Sequence, residues 1–137
     1  MRGFKKPNVV ISRCLGFESC RYDGQIISSK FVDKLKDHIH SITPCPEVDI
    51  GLSTPRDSLR VVKKNGSLSF VQTNTEKDLT EEITKYANSF LNDLEDVDGF
   101  IMKEGSPSCG FKSVKYYPGL EKVASNSKGP GFFGGAI

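Results

Sequence analysis

The sequence predicts an α/β domain with a short parallel sheet, helical crossovers and an inserted β-hairpin. Three observations support this class. Segments typical of strands and helices follow one another as strand, helix, strand, hairpin, helix and strand. Asn65 and Gly66 lie between two apolar runs, and Asn-Gly is the strongest short signal for a hairpin. Apolar residues recur at helical spacing between positions 79 and 94.

The first part of the chain predicts a strand, a helix and a second strand. Residues 8–12 are rich in β-branched side chains and follow Pro7, which is typical of a short buried strand. Ser28 or Ser29 is expected to cap the following helix. The chain then returns through residues 41–43 as the second strand. The helix is expected to bury one face made of Phe31, Val32, Leu35 and Ile39.

The middle of the chain predicts the hairpin and the longest helix. Residues 59–62 and 67–71 are expected to be the two strands of the hairpin. A helix is predicted from Asp78 to about Leu94, and Asp78 to Glu81 resembles a capping box. Core packing is the simplest interpretation of its apolar stripe, which consists of Leu79, Ile83, Tyr86, Phe90 and Leu94.

The last third of the chain predicts one more strand and then loops. Residues 99–102 are expected to form the third parallel strand. A turn is predicted at residues 116–119, and residues 129–135 are a glycine-dense loop.

Composition indicates one soluble globular domain covering residues 1–137. The hydrophobic fraction is 36%, the charged fraction is 26%, and the net charge is only +2. This charge neither requires nor excludes a nucleic-acid partner. No apolar run approaches the length of a membrane span or a signal peptide, so the expected location is the cytoplasm.

The four cysteines indicate a shared metal or catalytic site. Disulfides are not expected in a reducing cytoplasm, and the lack of any CxxC pair argues against zinc ribbons and ferredoxin-type clusters. Cys14, Cys45 and Cys109 each follow one of the predicted parallel strands, where ligands bind in open α/β sheets. Three thiolates suit either zinc or an iron–sulfur cluster, and both remain open. Cys20 follows no strand and is expected not to be a ligand.

The stretch from Thr43 to Glu47 places a cysteine between two prolines, with a carboxylate two residues later. Proline fixes φ and disfavours the α conformation in the residue before it, which predicts a stiff, non-helical turn. Such a turn would hold Cys45 and Glu47 at a set separation. Glu47 is therefore a candidate proton donor or base toward a molecule bound at the metal. His38 and His40 are poor candidates for a fourth metal ligand, because they lie at the end of a predicted helix.

Five motifs in this order resemble the thiouracil desulfidase family. The resemblance runs from about Val9 to the C-terminus, and its strength lies in the order and spacing of the motifs rather than in any one of them. The motifs are Ile11-Ser12-x-Cys14-Leu15-Gly16, Arg21-Tyr22-Asp23-Gly24, Cys45-Pro46-Glu47, Gly51-Leu52-x-x-Pro55-Arg56 and Lys103-x-x-Ser106-Pro107-Ser108-Cys109-Gly110.

The resemblance implies a Rossmann-like three-layer domain that carries a [4Fe–4S] cluster on Cys14, Cys45 and Cys109. It implies that the fourth iron takes the sulfur of a thiolated pyrimidine, and that Glu47 and Ser106 serve the reaction. The expected reaction is hydrolytic: 4-thiouracil, 4-thiouridine or its nucleotide becomes the oxo form, and sulfide is released. The alternatives are a non-catalytic metal- or sulfur-binding module and a zinc hydrolase that uses the same cysteines.

Substrate contacts are expected from four further residues of these motifs. Arg56 and Lys103 are candidates to hold a nucleotide phosphate or a pyrimidine oxygen, and Tyr22 is a candidate to stack on the base. Ser108 completes the predicted substrate contacts. The stretch around Cys20, with its extra cysteine, resembles a subgroup of the family that acts on thiolated transfer RNA. The expected partner is a thiolated base or nucleotide, and transfer RNA is an alternative.

Overall fold

The computed structural model describes residues 6–121 and 124–137. Ten helices and strands and two short 3-10 turns, Lys36–His38 and Gly134–Ala136, are found in these residues. In chain order the helices and strands are β1 (Asn8–Ile11), α1 (Lys30–Leu35), β2 (His40–Ile42), α2 (Pro46–Asp49), β3 (Leu59–Lys64), β4 (Ser67–Gln72), α3 (Thr80–Asp93), β5 (Gly99–Ile101), β6 (Val114–Tyr117) and β7 (Ser127–Gly129).

The first sheet is parallel throughout and has the strand order β2-β1-β5. Val10 of the central strand pairs with Ile42 on one side and with Phe100 on the other. The crossover from β1 to β2 contains α1, and the crossover from β2 to β5 contains α2, the β3–β4 hairpin and α3. These features confirm the predicted α/β class with helical crossovers and an inserted hairpin. They also bring the carboxyl ends of all three strands to one edge.

The second sheet contains the hairpin and has the order β4-β3-β6-β7. β3 and β4 are antiparallel, and the turn between them has positive φ at Asn65 (52°) and Gly66 (79°). Two successive residues with positive φ give a tight turn whose twist matches that of the strands, which is why Asn-Gly predicted the hairpin correctly. β3 also pairs with β6 in parallel, and β6 pairs with β7 antiparallel.

The prediction of a loop-rich last segment with a turn at residues 116–119 was wrong in part, because this segment contains β6 and β7. Tyr116 and Tyr117, predicted to lie in a turn, belong to β6, and the bends begin at Pro118. β6 alternates between buried Val114, exposed Lys115 and buried Tyr116, but the pattern spans only four residues. Its strand partner β3 is remote in sequence, so local pattern alone did not indicate the pairing.

The first helix is shorter than predicted. Ser29 caps it as expected, with its Oγ accepting a hydrogen bond from the amide of Val32 at 3.2 Å. The helix ends at Leu35 and a 3-10 turn follows, but Val32, Leu35 and Ile39 of the predicted face still pack in one core cluster. Phe31 is 65% exposed, whereas Val32 is buried with Ile11 and Leu15. Phe31 is therefore the one residue of the predicted face that turns to solvent.

The long helix α3 packs by its predicted apolar stripe but begins differently. Ile83 is fully buried in one cluster with Phe70 of β4. The predicted capping box does not form, because Leu79 is the N-cap and has no side-chain cap. Asp78 instead accepts hydrogen bonds from the amide and hydroxyl of Thr80. Among the helices of residues 6–121 and 124–137, none combines the length and apolar character that a membrane crossing requires.

The glycine-dense C-terminal segment packs against the loop that carries Cys109. The amide of Gly131 donates to the carbonyl of Gly110 at 2.8 Å, and the amides of Phe133 and Gly134 donate to Ser108 at 2.8 and 2.9 Å. A Cβ at Gly134 would overlap the carbonyl oxygens of Cys109 and Gly110. The absence of a side chain at this position is what allows the two backbone segments to touch.

We expect Gly134→Ala to destabilise the protein by about 2 kcal/mol, because the added methyl group must push the two backbones apart. For a chain of this size that corresponds to a fall in Tm of roughly 8 °C, measured by circular dichroism. Gly99→Ala is the matched control, because the space that its Cβ would occupy has no atom within 4 Å and its φ is not in the left-handed region. Equal Tm values for the two variants would contradict the close packing at Gly134.

Candidate active site

A cavity of about 510 Å³ lies at the carboxyl ends of the parallel strands and extends beside β3 and β6. Its volume is typical of small-molecule sites. Parallel strands bring loops that are distant in sequence to this edge. All nine residues predicted as ligands, catalytic groups or substrate contacts line it: Cys14, Tyr22, Cys45, Glu47, Arg56, Lys103, Ser106, Ser108 and Cys109.

Three cysteine thiols reach the cavity from three different loops. Cys14 lies three residues after β1, Cys45 lies three residues after β2, and Cys109 lies in the loop that follows β5. Burial raises the pKa of Cys14, and the neighbouring Cys45 raises it further. Burial also raises the pKa of Cys109 to about 12. Without a metal centre these two thiols are protonated, and metal binding would convert them to thiolates.

The turn around Cys45 is partly helical, which corrects the prediction of a non-helical turn. Cys45 itself is extended (φ −127°, ψ 94°), as expected for a residue before proline. Pro46 then occupies the first position of the single-turn helix α2, where its missing N–H is not needed. Glu47 is the second residue of α2. The helical turn sets the direction of its side chain relative to Cys45.

Asp49 ties the Cys14 loop, the Cys45 turn and α3 together. Its carboxylate accepts hydrogen bonds from the Cys45 amide at 3.2 Å, from Arg13 Nη2 at 3.0 Å and from the Tyr86 hydroxyl at 2.6 Å. Arg13 Nε also donates to the carbonyl of Thr43 at 2.9 Å. Burial raises the pKa of Tyr86, and its contact with Asp49 raises it further, so the hydroxyl stays protonated and can donate.

Glu47 is a buried carboxylate with partners on both oxygens. Its Oε1 accepts hydrogen bonds from Arg56 Nη2 at 2.9 Å and from Arg56 Nε at 3.2 Å. Its Oε2 accepts a hydrogen bond from the Ser108 hydroxyl at 3.1 Å. The residue is only 8% exposed. A buried carboxylate that accepts two hydrogen bonds from one guanidinium is held in a fixed orientation.

The two serines before Cys109 connect Glu47 to the cysteine loop. Ser106 Oγ lies 3.2 Å from Ser108 Oγ and accepts a hydrogen bond from the Cys109 amide at 3.1 Å. Ser108 is buried, and its hydroxyl also approaches Cys109 Sγ at 3.8 Å. Ser106 is half-buried. The hydroxyls therefore form a short chain from the carboxylate of Glu47 to Ser106 at the cavity wall.

Comparison with known proteins identifies the family of this chain. A model of the 2-thiouracil desulfurase family matches residues 9–137. The chain belongs to the 2-thiouracil desulfurase family. It is 32% identical over 109 residues to the uncharacterized protein YbbK of Bacillus subtilis (strain 168), which covers 74% of this chain and 72% of YbbK.

A solved structure, that of the [4Fe-4S]-dependent thiouracil desulfidase TudS, is similar to this 2-thiouracil desulfurase family member. The TM-score is 0.71 and the sequence identity is 32%, over 93% of this chain and 82% of the TudS chain. The family resemblance and the fold class predicted from the sequence are thus confirmed.

The cavity of this 2-thiouracil desulfurase family member offers soft sulfur donors for a metal centre. Thiolates are the preferred ligands of iron–sulfur clusters and of zinc. Among residues 6–121 and 124–137, no group of three His, Cys, Asp or Glu side chains meets at one metal position. Each thiolate of a cubane binds a different iron, so its ligands stand around the cluster instead of meeting at one ion. Thiols that surround a cavity from three loops fit such a group.

The fourth cysteine also lines the cavity. Cys20 is 3% exposed, and its carbonyl lies 3.9 Å from Cys45 Sγ. Burial raises the pKa of the Cys20 thiol, and the nearby Cys45 and Cys14 raise it further. Its position after a turn, rather than after a strand, gave no sequence signal that it would lie among the other three.

Several cavity residues were missed by sequence reasoning. The structure adds Arg60, Lys115 and Tyr117 of the second sheet, and Arg60 stacks on the Tyr117 ring at 4.1 Å. Lys115 and Tyr117 were missed because β6 was not predicted, and Arg60 was missed because the pairing that brings β3 beside β6 was not predicted. Basic side chains dominate the cavity wall, with Glu47 and Glu104 as its acidic residues; the basic ones are Arg13, Arg21, Arg56, Arg60, Lys103 and Lys115.

Proposed function

We propose that residues 1–137 form a single desulfidase domain that removes sulfur from a thiolated pyrimidine with the help of a [4Fe–4S] cluster. The observation that carries the proposal is the meeting of Cys14, Cys45, Cys109 and Glu47 at one cavity. The chain in which they meet is 32% identical to a [4Fe-4S]-dependent thiouracil desulfidase. The net reaction is balanced by water: a thiocarbonyl and water give a carbonyl and hydrogen sulfide.

Cys14, Cys45 and Cys109 are the residues that would hold the cluster. The cluster, when bound, supplies a soft Lewis-acidic iron for the thiocarbonyl sulfur. The four cysteines are free thiols, and thiols stay reduced in the cytosol. We therefore also propose that the protein is located in the cytoplasm.

Glu47 and Ser106 are the residues that would act on the substrate. Oε1 of Glu47 accepts two hydrogen bonds from Arg56, so Oε2 is the atom placed to take a proton from the attacking water. Ser106 Oγ accepts a hydrogen bond from the Cys109 amide, and its hydroxyl proton is available to the substrate or to Ser108. Glu47 therefore acts as the base, and Ser106 orients the ring or the water.

Lys103 and Tyr22 would hold the rest of the substrate. Both line the cavity, where Tyr22 is 41% exposed and presents its ring to an incoming base. Ser108, predicted as a substrate contact, is 1% exposed and bonded to Glu47, so its role in this proposal is to support the catalytic carboxylate. The basic wall and the volume suit a thiolated base or its nucleotide, and thiolated transfer RNA is an alternative to be tested.

The decisive experiment measures desulfidation by anaerobically purified protein. We expect a brown protein with broad absorption in the visible range, which releases sulfide from 4-thiouracil or 4-thiouridine monophosphate and forms the oxo product in equal amount. A colourless, zinc-containing protein would reject the proposal. A brown protein that releases no sulfide from the base, the nucleotide or thiolated transfer RNA would indicate a non-catalytic binding module.

A further inference from the structure

Arg56 has its guanidinium donors engaged by the protein itself. Nε and Nη2 donate to Glu47 Oε1, at 3.2 and 2.9 Å, and Nη2 also donates to the Cys20 carbonyl at 3.0 Å. Nη1 donates to the Ser53 carbonyl at 3.0 Å and to Thr54 Oγ1 at 3.1 Å. A guanidinium carries five N–H donors, and these five contacts use all of them.

The surroundings of Arg56 do not suit a residue that binds substrate phosphate. Its side chain is 3% exposed, and the Glu47 carboxylate already neutralises it. A phosphate would have to displace Glu47 or the backbone carbonyls to reach free N–H groups. Arg56 was assigned from the sequence as a contact to the phosphate or the base, but none of its N–H donors is left for such a contact.

The contacts of Arg56 instead fix three loops relative to one another. Its own loop supplies Ser53 and Thr54, the Cys45 turn supplies Glu47, and the Cys14 loop supplies the Cys20 carbonyl. Both guanidinium contacts to Glu47 fall on Oε1, which leaves Oε2 to Ser108 and to the cavity. Arg56 thus decides which carboxylate oxygen faces the substrate.

We propose that Arg56 is a positioning residue that holds Glu47 in its reactive orientation. This role rests on the proposed catalytic function of Glu47. Lysine cannot replace arginine in it, because an ammonium group lacks the planar fork that reaches Glu47, Ser53 and Cys20 together. A carboxylate displaced by about 1 Å can slow a reaction about 100-fold.

The test compares Arg56→Ala and Arg56→Lys on two substrates, one without a phosphate (4-thiouracil) and one with it (4-thiouridine monophosphate). Iron content and visible absorption are measured for every variant. We expect both variants to keep the cluster and to lose about 100-fold in kcat on both substrates, with KM changed less than about threefold. Guanidinium ion at millimolar concentration is expected to restore part of the kcat of Arg56→Ala, and methylammonium is not.

Three results would overturn the proposal. A rise in KM confined to the phosphate-bearing substrate would make Arg56 a phosphate ligand. Loss of the cluster in both variants would show that Arg56 supports the cysteines and not Glu47. The same kcat loss in Lys63→Ala, an exposed basic residue of β3 that is absent from the cavity wall, would assign the effect to general positive charge. If the wild type itself neither holds a cluster nor releases sulfide, the proposed function fails instead.

Discussion

Replacing Cys45 by serine is expected to leave the purified protein without the proposed [4Fe–4S] cluster. Cys45 lines the cavity together with Cys14 and Cys109, and its Sγ lies 3.9 Å from the Cys20 carbonyl. A serine hydroxyl is a hard donor and does not replace a thiolate on iron. We expect iron content and visible absorption to fall at least about tenfold after anaerobic reconstitution, which corresponds to the loss of one ligand.

Cys20→Ser is the matched control for this result. Cys20 lines the same cavity and is also buried, but it follows a turn and not a strand. We expect this variant to keep its iron and its absorption. Loss of the cluster in Cys20→Ser and retention in Cys45→Ser would mean that the ligand set has been assigned to the wrong cysteines.

A cluster-loaded Glu47→Gln variant is expected to lose about 1,000-fold in kcat, which is within the range for removal of a general base. Glutamine has nearly the same shape and can still accept from Arg56, so the loop should keep its position. The amide has no basic oxygen to take a proton from water. Stopped-assay measurement of sulfide, together with iron content, separates loss of chemistry from loss of cofactor.

Glu18→Gln is the corresponding control, because Glu18 lies in the Cys14 loop and is absent from the cavity wall. We expect it to turn over as the wild type does. A Glu47→Gln enzyme with full cluster content and wild-type turnover would remove Glu47 from the chemistry. Ser106 would then be the next candidate, tested as Ser106→Ala.

The order of the predicted strands was enough to predict from the sequence that the site residues lie close together. β1, β2 and β5 are short but strongly β-branched or follow clear turn signals, and parallel strands must end at one edge. Once those strands were placed, Cys14, Cys45 and Cys109 had to lie near one another. The stretch from Thr43 to Glu47 had already indicated Glu47, and the family motifs added Ser106.

The contacts that hold those residues in place could not be predicted in the same way. Asp49, Tyr86 and Arg13 meet through side chains from three separate elements, and Arg56 meets Glu47 across two loops. Such pairings depend on side-chain directions that no local repeat encodes. In the sequence, Arg56 gave no sign of a partner. Only the structure shows that its guanidinium is paired with the carboxylate of Glu47.

The packing of Gly131 and Gly134 on the Cys109 loop also has a consequence for the order of folding. The amide of Gly131 reaches the carbonyl of Gly110, about 20 residues away, whereas the pairing of Val10 with Phe100 joins strands about 90 residues apart. The shorter loop costs less entropy to close, so the C-terminal segment can anchor the Cys109 loop before the parallel sheet is complete. In the native protein, opening of residues 130–136 would release the Cys109 loop but would also expose Phe133, which is fully buried against Tyr86 and Phe90 of α3. The stability of the Cys109 loop is therefore coupled to that of α3.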